Sequence, residues 1–325
     1  SLSCRDMSYT TSSGVRKPNG AGLPMLSLST CMPDCSMRAA SSTTGPRTSY
    51  STLSSLVDLL KWRMGVPSGS CDGDVVWGAG AWDDGVMTKD ANVVMNECAG
   101  VLQYAQTCFE GLKAYTTEHG KIVTFRPDLN ASRMANTAKR LEMPPFPEDR
   151  FVEAVEKVVA ANAAYVPPYG SGATLYIRPY MFASSSVIGV KPAEEYQFRM
   201  FCTPVGPYFK GGAKPITIRV CDFDRAAPHG TGHVKAGLNY AMSLHAIVDA
   251  HNQGYDENMY LDAATRTKVE ETGGANFIFV TKDNKVVTPK SDSILPSITR
   301  RSLMYVAKEY LGLEAEERED ETCDN

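Results

Sequence analysis

Apolar residues fall into regular patterns from about residue 71 onward, and only weakly before it. In the earlier part, LSSLVDLLKW (53–62) alone has the spacing of a short helix. Glycines and acids around VVW (75–77) mark a short strand. KIVTFRP (121–127) alternates and ends at a proline, as a strand does. Ala131, Met134, Ala138 and Leu141 then recur at helical spacing, with Asp128 as the expected cap and Pro144-Pro145 as the stop. Phe151, Val152, Val155, Val158 and Val159 predict a second helix, ended by Pro167-Pro168. GSGATLYIRPYMF (170–182) and EYQFRMFCTPV (195–205) predict two more strands. Antiparallel strands with helices between and after them predict an α+β domain over 71–206.

VGPYFKGGAKP (205–215) holds two prolines and three glycines, and 207–215 reads as a linker. A second domain is expected over 216–325. PITIRV (215–220) opens it as a strand. A glycine-rich turn and an amphipathic run to Gly254 follow, with Leu238, Met242, His245 and Asp249 on one stripe and Leu244, Ile247 and Val248 on the next. NMYLDA (258–263), NFIFVTKD (276–283) and KVVTP (285–289) read as strands, the last two a hairpin through Asp283-Asn284. Pro296 opens a last helix carrying Ile298, Leu303, Val306 and Tyr310, stopped by Gly312. The acidic tail from Glu314 shows no pattern.

Composition changes this picture at the N-terminus. The first fifty residues are rich in Ser and Thr and carry Arg5, Arg16, Lys17, Arg38 and Arg47 against Asp6 and Asp34. Residues 1–70 therefore read as a leader, either an organelle transit peptide or an unstructured segment with no address. The compartment stays open between cytoplasm and mitochondrion or plastid. The whole chain, 325 residues with a net charge of -4, has no basic field to steer it to nucleic acid or an anionic membrane. No apolar run approaches the roughly 20 residues of a membrane span. Nine scattered cysteines read as reduced thiols, and Cys31 with Cys35 forms a C-x3-C lacking the second pair that zinc needs.

The stretch with the most chemical content is DRAAPHGTGHVKAGLNY (224–240), in which Lys235 stands between glycines. The phosphate-loop pattern fails because Leu238, not lysine, follows Gly237. The dinucleotide fingerprint fails because Lys235 occupies the place of its last glycine. A surface charge or a nucleophilic amine remains; burial disfavours an ammonium and makes lysine a Schiff-base nucleophile.

That stretch, with FEGLKAY (109–115), FRPDLNASRM (125–134), GSGATLYIRP (170–179), TPVGPYFKGG (203–212), EETGGANFIFV (270–280) and SDSILPSITRRSL (291–303), closely resembles the branched-chain amino acid aminotransferases, in register from about residue 75 to 315. The resemblance implies a fold type IV enzyme that binds pyridoxal 5'-phosphate, with a small N-terminal α/β domain and a larger pseudo-barrel domain. It places the Schiff-base lysine at Lys235, a phosphate-binding arginine at Arg126, and phosphate-binding backbone N–H groups at Ile298 and Thr299. It places the carboxylate facing the pyridine nitrogen at Glu271, with neighbouring Glu270 the alternative, the tyrosine near O3′ at Tyr240, and further cofactor contacts at Arg225 and Gly274. Tyr104, Phe109, Tyr176, Arg178 and Tyr208 fall on substrate-pocket positions. The implied reaction exchanges an amino group between leucine, isoleucine or valine and 2-oxoglutarate, giving glutamate, in a homodimer. Alternatives are a D-amino acid aminotransferase, an aminodeoxychorismate lyase or a non-catalytic fragment; FEGLKAY and the LYIRP/PVGPYF pair argue against the first two. Two departures stand out: residues before about 72 do not match, and the family's Gly-Thr-Ala segment has no counterpart after Thr299.

Overall fold

The computed structural model describes residues 59–65, 81–186, 188–206 and 215–319. The leader through residue 58, Cys31 and Cys35, the VVW strand and most of the linker with Tyr208 lie outside the described residues. The chain forms two compact units. One takes the described residues up to 206 together with Val234–Leu238; the other takes 215–233 and 239–319.

The first unit is an antiparallel sheet with three α-helices among the described residues. Its strands are β1 (Leu59–Gly65), β2 (Ala81–Trp82), β3 (Val86–Thr88), β4 (Thr107–Phe109), β5 (Leu112–Thr116), β6 (Ile122–Thr124), β7 (Thr174–Ala183) and β8 (Glu195–Val205). The order is β2-β1-β8-β7-β5-β6, with β3 on β1 and β4 on β7. β7 and β8 pair from Thr174↔Val205 to Ala183↔Tyr196. The short helix α1 (Gly100–Tyr104) precedes β4; α2 (Pro127–Arg140) and α3 (Glu148–Ala161) lie between β6 and β7. α3 buries Phe151, Ala154, Val155, Val158 and Val159, the stripe expected from its spacing save that Val152 is half-buried and Ala154 takes part. These pack with Met134 and Ala138 of α2 and with Leu175, Ile177, Phe198 and Met200 of the sheet. Each large apolar side chain among them contributes roughly 1.5–3 kcal/mol on full burial.

Three local expectations need correction. Leu59–Trp62 is strand, not helix, because the segment pairs with β8 from Leu60↔Met200 to Gly65↔Glu195, and a sheet ladder overrides a weak local preference. Asp128 does not cap α2. The cap position is Arg126, at φ 48°, and Pro127 occupies the first turn, where its missing N–H is no loss. The Asp128 carboxylate is instead engaged by Arg126 Nε and Nη2 at 3.1 and 2.9 Å. FEGLKAY, given no element by its pattern, ends β4 with Phe109 and supplies Leu112 to Tyr115 of β5.

The second unit is built from two β-α-β crossovers. β9 (Ile218–Val220), α4 (Gly237–Asn252) and β10 (Glu257–Leu261) form the first, its strands parallel, with β11 (Val269–Thr272) antiparallel to β10. β13 (Val286–Pro289), α5 (Ile298–Glu309) and β14 (Ala315–Arg318) form the second, with β12 (Phe279–Val280) joined to β13 by the expected hairpin. The tail is thus a strand over Ala315–Arg318; Glu316 and Glu317 are exposed while Ala315 is buried, a pattern too short to read. NFIFVTKD yields only the two residues of β12. On α4 the apolar stripes are not the buried face. Met242, Leu244 and Val248 are exposed, and Asn239, Ala246 and Ala250 are buried. Ala246 packs against Cys221 and Tyr260, where a small side chain lets the large ring in. On α5, Ser297 Oγ accepts the Arg300 N–H at 3.1 Å as the cap, one residue after the expected Pro296 start. The buried stripe is Ile298, Arg300, Met304 and Ala307, and Tyr310 is exposed. Arg300 can be buried because Nη1 donates to Pro289 O at 3.2 Å and Nη2 lies 3.6 Å from Glu317.

Candidate active site

In the first unit Lys235 is 3% exposed, and its Nζ lies 4.8 Å from the centroid of the Phe109 ring. Its backbone is held on both sides. The Lys235 N–H donates to Thr137 Oγ1 at 3.0 Å, and the Lys235 carbonyl accepts from Phe109 N at 3.3 Å. Ala236 bridges to Cys108 of β4, and a Cβ on Gly237 would come within 2.9 Å of Thr107 Cγ2. This lysine is therefore not a surface charge. It sits on a short segment laid against β4 and α2.

The residues after Phe109 extend this setting. Arg178 stacks on Phe109, its guanidinium carbon 4.6 Å from the ring centroid, and Nε donates to Tyr176 Oη at 3.0 Å. A Cβ on Gly111 would lie 2.4 Å from that hydroxyl oxygen, so only glycine leaves it its place. Phe109, Tyr176, Arg178 and Lys235 are thus brought together. Between Phe109 and Gly111, Glu110 is fully buried. Its oxygens accept from Arg133 Nε and Nη2, both at 2.7 Å, and from Asn130 Nδ2 at 2.8 Å. Tyr104 and Arg126 are outside this cluster of contacts. The Tyr104 hydroxyl accepts from Gly189 N at 2.8 Å, and Arg126, half-exposed, pairs with Asp128.

In the second unit Glu271 and Arg225 form a buried ion pair through Glu271 Oε1 and the guanidinium Nε and Nη2. Arg225 Nη2 also donates to Gly232 O at 2.8 Å. Gly232 cannot be replaced without moving Ser293, whose carbonyl oxygen would lie 1.9 Å from a Cβ there. Glu271 Oε1 further accepts from Leu295 N at 3.3 Å, and Oε2 from Asn276 Nδ2 at 2.5 Å. Burial pushes the Glu271 carboxyl up, against the opposing pull of Arg225, the Leu295 N–H and the Asn276 amide. Glu270 points elsewhere, accepting from Ser291 Oγ at 2.6 Å; burial raises it as well.

Gly274 lies in a tight turn closed by Thr272 N to Ala275 O at 2.9 Å. Ile298 and Thr299 form the first turn of α5, where backbone N–H groups lack intrahelical acceptors and an anion is favoured. Tyr240 is half-buried in the first turns of α4. Beside it, Asn239 closes on Thr231 in both directions, accepting from Thr231 Oγ1 and donating to Thr231 O at 2.7 Å each.

A family model, amino-transferase class IV, matches residues 107–321. The chain belongs to the class IV aminotransferases. Among curated relatives, a branched-chain-amino-acid aminotransferase of Haemophilus influenzae is 53% identical over 244 residues, 74% of this chain and 71% of that protein. Of solved structures, the branched-chain amino acid aminotransferase of Escherichia coli matches with a TM-score of 0.63 at 30% identity, covering 73% of this chain and 75% of that one. The branched-chain amino acid aminotransferase of Thermobaculum terrenum, solved in its PLP-form, matches with a TM-score of 0.60 at 25% identity, covering 71% and 73%. The expected fold, type IV, is the fold of this aminotransferase.

Sequence reasoning missed Thr137, Glu110 and Asn276, each of which touches a predicted site residue or its neighbour. A signal for Thr137 was there: Asn130, Arg133 and Thr137 recur at helical spacing beside the apolar stripe of α2, and polar residues next to a buried stripe need buried partners.

Proposed function

We infer that this aminotransferase acts on leucine, isoleucine and valine with 2-oxoglutarate as the acceptor, using pyridoxal 5'-phosphate. The observation that carries the reading is Lys235, a buried amine against an aromatic ring, on a backbone fixed at its N–H and its carbonyl. The names of the relatives in Haemophilus influenzae and Escherichia coli support the substrate class.

The residues present fit the cofactor. Asn276 Oδ1, buried beside Glu271, has no hydrogen-bond partner among the described residues, and the first turn of α5 offers N–H groups. When bound, pyridoxal phosphate would supply an electron-withdrawing ring that stabilises negative charge developing at the substrate's Cα. Lys235 Nζ would be the amine that holds the cofactor and carries the proton to and from the substrate's Cα. Glu271 would face the pyridine nitrogen, where a carboxylate favours a protonated ring. Arg225 holds Glu271 in place. Arg126 and the N–H groups of Ile298 and Thr299 would bind the phosphate, and Gly274 and Tyr240 would be further cofactor contacts. Phe109, Tyr104 and Tyr208 wall the substrate pocket, and Tyr176 aims Arg178 at the second carboxylate of glutamate or 2-oxoglutarate. Residues 71–206 and 216–325 act as two domains with 207–215 as the linker, and the working species is a homodimer.

The test is spectroscopic and stereochemical. Protein loaded with the cofactor shows a visible absorption band from the lysine-linked cofactor and converts L-leucine but not D-alanine. Lys235→Ala loses both the band and the activity. A band that survives Lys235→Ala overturns the assignment, and turnover of D-alanine over L-leucine overturns the substrate class.

A further inference from the structure

Helix α2 carries a buried polar stripe. Asn130, Arg133 and Thr137 follow one another at helical spacing, Thr137 being 1% exposed and Asn130 3% exposed. The first two hold Glu110, the residue between Phe109 and Gly111. Thr137 holds Lys235 itself. Its hydroxyl donates to Arg133 O at 3.0 Å and accepts the Lys235 N–H at 3.0 Å. The one hydroxyl proton is committed to the carbonyl four residues back, which leaves the oxygen's lone pairs for a donor outside α2. Both bonds together hold the side chain in a single arrangement. Arg133, the residue whose carbonyl is used, is itself fastened through a bidentate bond to Glu110.

We propose that Thr137 is a positioning residue for Lys235. Its hydroxyl fixes the peptide N–H of the lysine, as Phe109 N fixes the carbonyl, so that the four-carbon stem starts from one place. The assignment rests on the reading of Lys235 as the working amine. An amine that serves two carbon atoms in turn depends on where its stem begins, and a displacement of the order of 1 Å costs up to about 100-fold in rate.

Two variants and two readouts test it. Thr137→Val keeps shape and branching but removes the acceptor; Thr137→Ser keeps the hydroxyl. In the cofactor-free protein, Thr137→Val should speed hydrogen exchange at the Lys235 amide by about tenfold, while the Glu110 and Gly111 amides exchange as before. In the loaded enzyme it should lower kcat by about tenfold, with KM for L-leucine changed by less than about twofold. Thr137→Ser should return both quantities to within about threefold of the native values. Unchanged exchange and kcat in folded Thr137→Val overturns the proposal, as does an equal kcat loss in the Ser and Val variants. If Thr137→Val does not fold, Thr137→Ser decides: Lys235 exchange within about threefold of native supports the role, and a larger rise overturns it. Unchanged exchange at Lys235 sinks only this inference, whereas a cofactor band that survives Lys235→Ala sinks the reading beneath it.

Discussion

Glu110 in the first unit and Glu271 in the second are both buried carboxylates facing an arginine, and their surroundings differ. Glu110 accepts from Arg133 twice, from Asn130 and, at 3.3 Å, from Gly111 N, and the apolar cluster of α2, α3 and the sheet lies alongside. Glu271 shares Arg225 with the Gly232 carbonyl, stands next to a second buried carboxylate, Glu270, and binds an Asn276 whose own oxygen has no partner among the described residues. The first pair is saturated and acts as a fastener between strand and helix. The second sets two buried carboxylates side by side, and burial pushes both carboxyls up. The same two residue types form a saturated contact in one unit and stand beside an amide oxygen without a partner among the described residues in the other.

The largest expected effect comes from breaking the fastener. Arg133→Met leaves Glu110 buried without its countercharge, and denaturant unfolding should show a loss of about 3–5 kcal/mol. Glu110→Leu combined with Arg133→Met should recover most of that loss, because an apolar pair of similar volume has no charge to bury. A loss below about 1 kcal/mol for the single substitution contradicts the fastener.

The second unit should respond through pH. Burial raises the Glu270 carboxyl above its usual value near 4.5. A carboxyl raised on folding favours the folded state below the unfolded value, and that advantage is lost as pH rises through the folded value. Melting temperatures of the native protein minus those of Glu270→Gln should therefore fall as pH climbs from about 4.5 toward neutrality. A difference that stays flat or rises contradicts the sign.

The smallest effect marks the baseline. Glu153 and Lys157 pair at 2.6 Å on the exposed face of α3, both more than half exposed. Lys157→Ala should change unfolding free energy by less than about 0.5 kcal/mol, far below Arg133→Met.

How much of this was legible in sequence follows from what each signal depends on. The stripes of α3 and the apolar run of β8 were readable because apolar cores impose the pattern directly. Leu59–Gly65 and Ala315–Arg318 were not, because their strands exist through pairing with β8 and β13, partners distant along the chain. The α4 face was misread because it packs with alanine and asparagine, which hydropathy treats as neutral or polar. At the site, spacing excluded nucleotide loops around Lys235, and resemblance named its companions. Neither could show Thr137, 98 residues away in sequence, whose role depends on one hydroxyl's orientation.

Cys108 lies in β4 directly before Phe109, and its neighbour across the bridge is Ala236, the residue after the lysine. It is fully buried, and burial, reinforced by Glu110, pushes its thiol well above the ordinary range. A thiolate at this position would be a nucleophile across the bridge from the residue that follows Lys235. Keeping the sulfur protonated and enclosed removes that nucleophile. The same enclosure shields the sulfur from peroxide and alkylating agents.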